Sequence, residues 1–191
     1  ISNFNWGNYA LILNYTNANN TLDFKNPVNL NEKTRAVRVD ASNPAAIATM
    51  SGVLSGATDL SALTKEGAGT LVLTAVNTYP GDTTVTGGTL SITNPYLADT
   101  ADVYLDGTGI MDLDFDGTDL INQLYLDGFP AEGSGVYDAN SHPDYFTGTG
   151  SLTVGEVAPD PVITDIAVLP SGDVVITMAA PAAGLTAQRS N

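Results

Sequence analysis

The chain contains two nearly identical pentapeptides 21 residues apart, Val103-Tyr104-Leu105-Asp106-Gly107 and Leu124-Tyr125-Leu126-Asp127-Gly128. Apolar residues recur at a similar interval on both sides of them, in short segments that alternate apolar and polar residues. A repeat of about 20 residues carried by short alternating strands is typical of a chain wound into stacked coils of parallel strands. The repeat therefore predicts a parallel β-solenoid.

Three sets of apolar residues are expected to form columns in the core of this solenoid. Alternate side chains of a strand face the core, and each column takes one residue from each successive coil. The expected columns are Leu71, Leu90, Met111 and Leu152; Leu73, Ile92, Leu113 and Val154; and Val85, Leu105, Leu126 and Phe146. Residues 21–154 would then make about six to seven coils, stacked roughly 4.8 Å apart.

The composition fits an all-β protein with little helix. Thr, Val, Gly, Asn and Asp dominate, and 19 Gly and 10 Pro favour strands joined by tight turns. The chain has no cysteine, so neither a disulfide nor a thiolate-bound metal contributes to its stability. A domain of this length does not need such a framework to be stable.

Acidic residues dominate most of the chain. The formal net charge is −15, and residues 66–188 contain 17 Asp or Glu and no Lys or Arg. Such a surface repels phosphate backbones and anionic lipid headgroups, so we expect no nucleic-acid binding. We also expect no membrane insertion, because no apolar run reaches the roughly 18 residues of a membrane span. The chain opens at Ile1 without a leader, which suggests a segment cut from a longer protein.

The sequence divides into three parts. Residues 1–155 are expected to form the solenoid. Residues 156–161 end with two prolines in three positions and predict a linker, because proline cannot donate to a strand ladder. Residues 162–191 contain two alternating runs, 162–168 and 173–178, which predict a hairpin at the start of a small, incomplete β-sandwich-like module.

A dense pattern of Gly, Thr and alternating apolar residues lies in the middle of the chain. It consists of Leu63-Thr64-Lys65-Glu66-Gly67-Ala68-Gly69-Thr70-Leu71-Val72-Leu73-Thr74, Asn77-Thr78-Tyr79-Pro80-Gly81-Asp82-Thr83-Thr84-Val85 and Gly87-Gly88-Thr89-Leu90-Ser91-Ile92. These residues resemble the autotransporter-associated β-strand repeat, also called the passenger-associated transport repeat. With similar segments downstream, the resemblance covers about residues 47–155.

This resemblance implies a fold, a location and the absence of an active site. The fold is a right-handed parallel β-helix within the passenger of a large exported bacterial protein. The location is secreted or on the outer cell surface of a Gram-negative-type bacterium. The family motif has no catalytic residues to carry over, and it implies no cofactor.

One acidic motif is a candidate metal site. Asp112, Asp114 and Asp116 alternate and are followed by Gly117, as in the first half of a calcium-binding loop. The match then fails, because Gln123 stands at the twelfth position instead of a bidentate Glu. The alternative is that the three carboxylates form an acidic strand edge solvated by water. Calcium is the single cofactor that the sequence suggests.

Three functions are compatible with such a β-helix. We expect a non-catalytic structural passenger or stalk, which is not an enzyme and which self-associates end to end through open strand edges. The alternative is an adhesin or glycan-binding module, with glycans or neighbouring surface proteins as partners; Trp6, Tyr9 and Tyr15 could stack on sugars, although core capping is the commoner role. A polysaccharide lyase or hydrolase is less favoured, because the acidic region offers His142 as its one basic side chain, in a predicted exposed loop.

Overall fold

The computed structural model describes residues 10–132 and 135–155, together with the backbone of two strands at 163–168 and 174–178. The chain divides into two compact units, Ile1–Gly155 and Glu156–Asn191. The described residues form strands and turns and no helix, which confirms the all-β prediction. This part of the chain accordingly contains no apolar helix of the length needed to cross a bilayer.

The strands of the first unit are short, apart from two long ones in its middle. They are β1 (Leu11–Ile12), β2 (Leu22–Phe24), β3 (Val28–Asn29), β4 (Arg35–Arg38), β5 (Ala48–Met50), β6 (Leu54–Ser55), β7 (Leu63–Glu66), β8 (Thr70–Leu73), β9 (Thr83–Ile92), β10 (Asp102–Leu113), β11 (Thr118–Ile121), β12 (Gln123–Leu126), β13 (Phe129–Pro130), β14 (Gly135–Tyr137), β15 (Phe146–Gly148) and β16 (Ser151–Val154). The strands of the second unit are β17 (Ile163–Val168) and β18 (Val174–Met178).

Parallel pairing stacks these strands into the faces of a β-solenoid of about five turns. Face 1 contains β1, β4, β7, the first half of β9, the first half of β10 and β12, in that order. Face 2 contains β2, β5, β8, the second halves of β9 and β10, and β15. Face 3 pairs β3 with β6 and β11 with β16. A coil is one passage of the chain through the three faces. We name each coil by its strand on face 1.

The predicted core columns are confirmed through the middle of the stack. Successive coils pair Leu71 with Leu90 and Met111, Leu73 with Ile92 and Leu113, and Val85 with Leu105 and Leu126. All of these side chains are buried except Leu126, which is half-buried. The two-residue alternation within strands therefore set the core as expected.

The prediction was wrong for Phe146. This residue pairs with Met111 on face 2 and does not extend the column that ends at Leu126 on face 1. The cause is an insert, residues 127–145, which separates β12 from β15 and contains β13 and β14. Because of the insert, the residue of β15 that stacks on Met111 comes 35 positions later instead of about 20.

The prediction was also wrong for Leu152 and Val154. Both lie on face 3, where they pair with Asp119 and Ile121 of β11 and do not join the columns of face 2. The two side chains are buried, so their inward orientation was predicted but their face was not.

The stack makes about five turns instead of the expected six to seven, because its early coils are long and residues 127–145 form an insert. Arg35 of β4 pairs with Leu63 of β7, 28 residues later, whereas Leu63 pairs with Thr83 only 20 residues later. An interval of about 20 residues therefore holds in the middle of the chain and not at its start.

Antiparallel strands end the stack on two faces. On face 1, β13 pairs with β12 on the side away from β10. On face 3, β14 pairs with β16 on the side away from β11. Each occupies the edge that a further parallel strand would need, which is one way in which proteins protect exposed edges. Among the described residues, β15 on face 2 has β10 as its one partner.

In the second unit, β17 and β18 pair antiparallel, which confirms the predicted pairing of the two runs. The predicted linker, residues 156–161, and the rest of the predicted module lie outside the described residues.

Candidate functional surface

The predicted acidic motif lies at the end of β10 and in the turn after it. Asp114 and Asp116 are exposed and Asp112 is half-buried, while the intervening Leu113 and Phe115 are buried in the core. The alternation thus places the three carboxylates on the outer side, as expected. Within the described ranges, no three His, Asp or Glu side chains are grouped so that they could hold one metal ion. Specific calcium binding stays a prediction.

Asp112 is held by hydroxyl groups of the coils on either side. Its Oδ2 accepts a hydrogen bond from Ser91 Oγ at 2.7 Å, and its Oδ1 accepts one from Thr147 Oγ1 at 2.8 Å. Ser91 pairs with Asp112 on the outer side of face 2 and is only 4% exposed. This carboxylate therefore joins three strands of face 2 on their outer side.

The tyrosines of the two pentapeptides stack on the outer side of face 1. The ring centroids of Tyr104 and Tyr125 are 4.6 Å apart, with 8° between the ring planes. The register places Thr84 next to Tyr104 and Pro130 next to Tyr125, so the pair continues a ladder of side chains. Burial, assisted by Asp102, raises the pKa of Tyr104 to about 12. With neighbours on both sides, the ring edges are better placed for solvent contact than the ring faces with which sugars stack.

Of the aromatic residues near the start of the chain, Trp6 and Tyr9 lie outside the described residues. Tyr15 is 64% exposed and therefore does not cap the core, which was its more favoured role. Its ring remains accessible to a ligand.

His142, the single histidine of the chain, is half-buried in a tight turn of the insert. Its Nδ1 lies 3.1 Å from Ser141 Oγ, and that hydroxyl donates to Asp138 Oδ1 at 2.9 Å. In a nucleophilic triad the imidazole lies between the hydroxyl and the carboxylate, so this order does not activate the serine. The backbone N–H of Ser141 and then its hydroxyl lower the pKa of Asp138, as expected for a carboxylate that closes a turn.

One of the six Lys and Arg residues of the chain lies inside the repeat. Lys65 stands between Val37 and Val85 in the inward column of face 1 and is 0% exposed. Lys65 lies two residues after the buried Leu63, and alternate residues of a strand face the same side. This spacing is the sequence signal that could have predicted its inward orientation.

The ammonium group of Lys65 binds backbone carbonyl oxygens at the corner between faces 1 and 2. Nζ donates to Glu66 O at 3.0 Å, to Gly67 O at 2.9 Å and to Gly87 O at 2.9 Å. Gly87 belongs to the β9 coil, so the lysine joins two coils. Burial lowers the pKa of Lys65 to about 8, partly opposed by Asp40 and Glu66.

Two polar side chains on face 3 bind the backbone of the preceding coil. Asn77 Oδ1 accepts the N–H of Leu54 at 2.8 Å, and Asp119 Oδ2 accepts the N–H of Leu97 at 2.9 Å. Asn77 is 3% exposed and Asp119 is 7% exposed. Burial raises the pKa of Asp119. We call such a bond, from a side chain to the backbone of another coil, a latch.

Latches recur at other corners of the solenoid. The others in the described residues include Asn14 Nδ2 to Ala46 O at 2.9 Å, Asp102 N to Asp82 Oδ1 at 2.9 Å, Asn94 Nδ2 to Thr74 O at 3.0 Å and Gly107 N to Asp127 Oδ1 at 2.9 Å. Side-chain hydrogen bonds between neighbouring coils thus occur at several corners of this unit.

Residues 63–92 match the family profile of the passenger-associated-transport-repeat. The match begins with the first residue of β7 and ends with the last residue of β9, so it spans one coil and two faces of the next. It includes Lys65 and Asn77, and it confirms the resemblance found in the sequence. No curated protein and no solved structure gives a significant match. The family implies an exported or surface protein.

Proposed function

We propose that this chain, which carries the passenger-associated transport repeat at residues 63–92, is a structural segment of an exported bacterial passenger. It acts as a β-helical stalk or spacer that holds other modules away from the cell, and it has no catalytic activity. The cell surface or the surroundings of a Gram-negative-type bacterium is its location.

The observation that carries this proposal is the use of buried polar groups between coils. Lys65, Asn77 and Asp119 each bind the backbone of a neighbouring coil, and Asp112 binds side chains of two. A stalk needs coils that stay together, since single coils cannot bury their inward side chains. Groups used in this way are not free to act on a substrate.

The electrostatics of the chain support the same function. A net charge of −15 keeps copies of a repetitive β structure apart and repels acidic polysaccharides, the substrates of β-helical lyases. The His142 arrangement lacks the order of an acid–base pair, because the serine lies between the imidazole and the carboxylate. A spacer needs solubility and no such pair.

A glycan array with calcium-containing and calcium-free arms tests the proposal. We expect no reproducible binding in either arm, with a lectin of known specificity as the positive control. Binding in the calcium arm alone that Asp114→Asn abolishes would favour the predicted metal site. Reproducible binding in either arm would contradict a purely structural role.

Glycan binding is the second candidate function, because Tyr15 is 64% exposed. Any ligand found on the array should then be lost by Tyr15→Ala. Tyr145→Phe is the matched control, since it removes a hydroxyl bound to Asp127 Oδ2 and leaves the ring in place.

A further inference from the structure

The chain contains three Asp-Gly dipeptides, Asp106-Gly107, Asp116-Gly117 and Asp127-Gly128. Such a dipeptide can rearrange without an enzyme, because glycine has no side chain to hinder its nitrogen and leaves the backbone free to bend. The glycine nitrogen attacks Cγ of the neutral aspartic acid, and the carboxyl hydroxyl leaves with the N–H proton as water. A succinimide ring results. Water then opens the ring at the α-carbonyl, which gives isoaspartate, whose main chain runs through the former side chain.

The reaction requires a nitrogen and a carboxyl group that are both free to meet. Reacting atoms must first come within roughly 3–3.5 Å of each other in a suitable orientation. A hydrogen bond that holds either group on another partner opposes this approach. The hydrogen bonds around each dipeptide should therefore decide which of the three reacts in the folded chain.

In the first dipeptide the nitrogen is held. The N–H of Gly107 donates to Asp127 Oδ1, in the next coil, at 2.9 Å. The dipeptide also lies within β10, between Leu105 and Thr108, which are both paired with β9. Attack on the carboxyl group of Asp106 would have to break the bond to Asp127.

In the third dipeptide the carboxylate is held on both oxygens. Asp127 Oδ1 accepts the N–H of Gly107 at 2.9 Å, and Oδ2 accepts the hydroxyl of Tyr145 at 2.7 Å. The backbone N–H of Asp127 donates to Leu105 O at 2.9 Å. The carboxyl group is therefore fixed on two partners other than the nitrogen of Gly128.

In the second dipeptide neither group is held. Asp116 and Gly117 are both exposed in the turn between β10 and β11. Within the described ranges, the Asp116 carboxylate accepts no hydrogen bond and the N–H of Gly117 donates none. A Cβ built on Gly117 would meet nothing within 4 Å, so open space lies beside this turn.

We propose that Asp116 is a site of spontaneous isoaspartate formation in the folded chain, and that their hydrogen bonds protect Asp106 and Asp127. The rearrangement consumes and returns one water and needs no other reactant. It adds one methylene group to the main chain at the corner between faces 2 and 3. There the neighbouring Gly117 O accepts the N–H of Ser151 at 3.1 Å. This modification site goes beyond the proposed function and does not depend on it.

Peptide mapping after prolonged incubation of the folded chain at neutral pH tests the proposal. Mass spectrometry with electron-transfer fragmentation distinguishes isoaspartate from aspartate at each dipeptide. We expect several-fold more isoaspartate at Asp116 than at Asp106 or Asp127. Incubation in concentrated urea is the control, because the protecting hydrogen bonds are then lost and the three sites should react to similar extents.

Two results would overturn the proposal. One is an equal or larger yield of isoaspartate at Asp106 or Asp127 in the folded chain. The other is no isoaspartate at Asp116 over a period in which the chain in urea accumulates it there.

Two variants test the chemistry and the protection separately. Asp116→Glu should abolish the product at this position, because the longer side chain would have to close a larger and slower-forming ring. Tyr145→Phe removes the hydroxyl that holds Asp127 Oδ2, so it should raise the yield at Asp127 several-fold and leave that at Asp116 unchanged. An unchanged yield at Asp127 would contradict protection by this hydrogen bond.

Discussion

At the scale of single residues, Lys65 shows how a charged side chain can belong to a solenoid core. Its aliphatic stem fills the column between Val37 and Val85, and its ammonium ends among three carbonyl oxygens. Charge-assisted hydrogen bonds of this kind are stronger than neutral ones and offset part of the cost of burial. Lysine is rarely buried, so a sequence alone predicts it at the surface.

Replacing Lys65 with methionine tests this role. Lys65→Met keeps most of the stem volume but leaves buried carbonyl oxygens without their donor, so the free energy of unfolding should fall by about 1–3 kcal/mol. Lys25→Met is the matched control, because Lys25 is 79% exposed and its ion pair with Asp23 spans 3.8 Å. That change should cost almost nothing. Urea unfolding measures both, and equal losses would contradict a special role for Lys65.

Two glycines offer a second matched pair. Gly88 and Gly128 have φ of 62° and 79°, where a side chain costs about 1–2 kcal/mol. A Cβ on Gly88 would lie 2.4 Å from Gly69 O, whereas a Cβ on Gly128 would meet nothing within 4 Å. Gly128→Ala should therefore lose only the conformational energy, and Gly88→Ala clearly more. Chemical denaturation measures the free energy of unfolding of both variants. Equal losses would show that the turn at Gly88 can open to admit the methyl group.

At the scale of elements, the centre of the solenoid is paired on both edges and its end is not. The two long strands β9 and β10 have parallel neighbours on both sides, whereas β13, β14 and β15 each have one described partner. Local opening free energies follow such differences in pairing.

Hydrogen exchange should reproduce this pattern. Amides of β9 and β10 should exchange slowest, close to the rate set by global unfolding, while those of β13, β14 and β15 should exchange earlier. Mass spectrometry of proteolytic peptides resolves these segments. Uniform protection across the first unit would mean that the antiparallel strands are as stable as the stack they terminate.

The same elements show why sequence predicted part of this fold and not the rest. Stacking fixes the residues that lie over one another, so Leu71, Leu90 and Met111 could be assigned from their spacing. Stacking does not fix the length of a corner, so the interval failed at the insert and Phe146 was placed on the wrong face. Latches escaped prediction because Asn77 and Asp119 resemble ordinary turn residues until their distant partners are known.

At the scale of the whole molecule, two buried titratable groups make the free energy of unfolding depend on pH in the alkaline range. Their effects have opposite signs. The pKa of Lys65 is about 8 in the fold, against an ordinary value of 10.5 for a free lysine side chain. The unfolded chain therefore binds more protons between these values, and stability rises with pH there. Burial raises the pKa of Tyr79 from 10.0 to about 12, so the folded chain holds more protons above pH 10.0 and stability falls there.

We therefore expect the free energy of unfolding to increase from about pH 8 toward pH 10 and to decrease above pH 10. Urea unfolding at a series of pH values measures the profile. Lys65→Met should remove the rise and keep the fall. A steady decrease from pH 8 in the original chain would show that Lys65 keeps its ordinary proton affinity.

The insert has a consequence for how such a protein can change over time. Residues 127–145 add β13 and β14 to the end of the stack, and face 2 then resumes in register, with Leu113 opposite Gly148. New sequence can thus enter at this corner without altering the order of the coils. Lineages that gain or lose residues at this corner would then keep the same framework of coils.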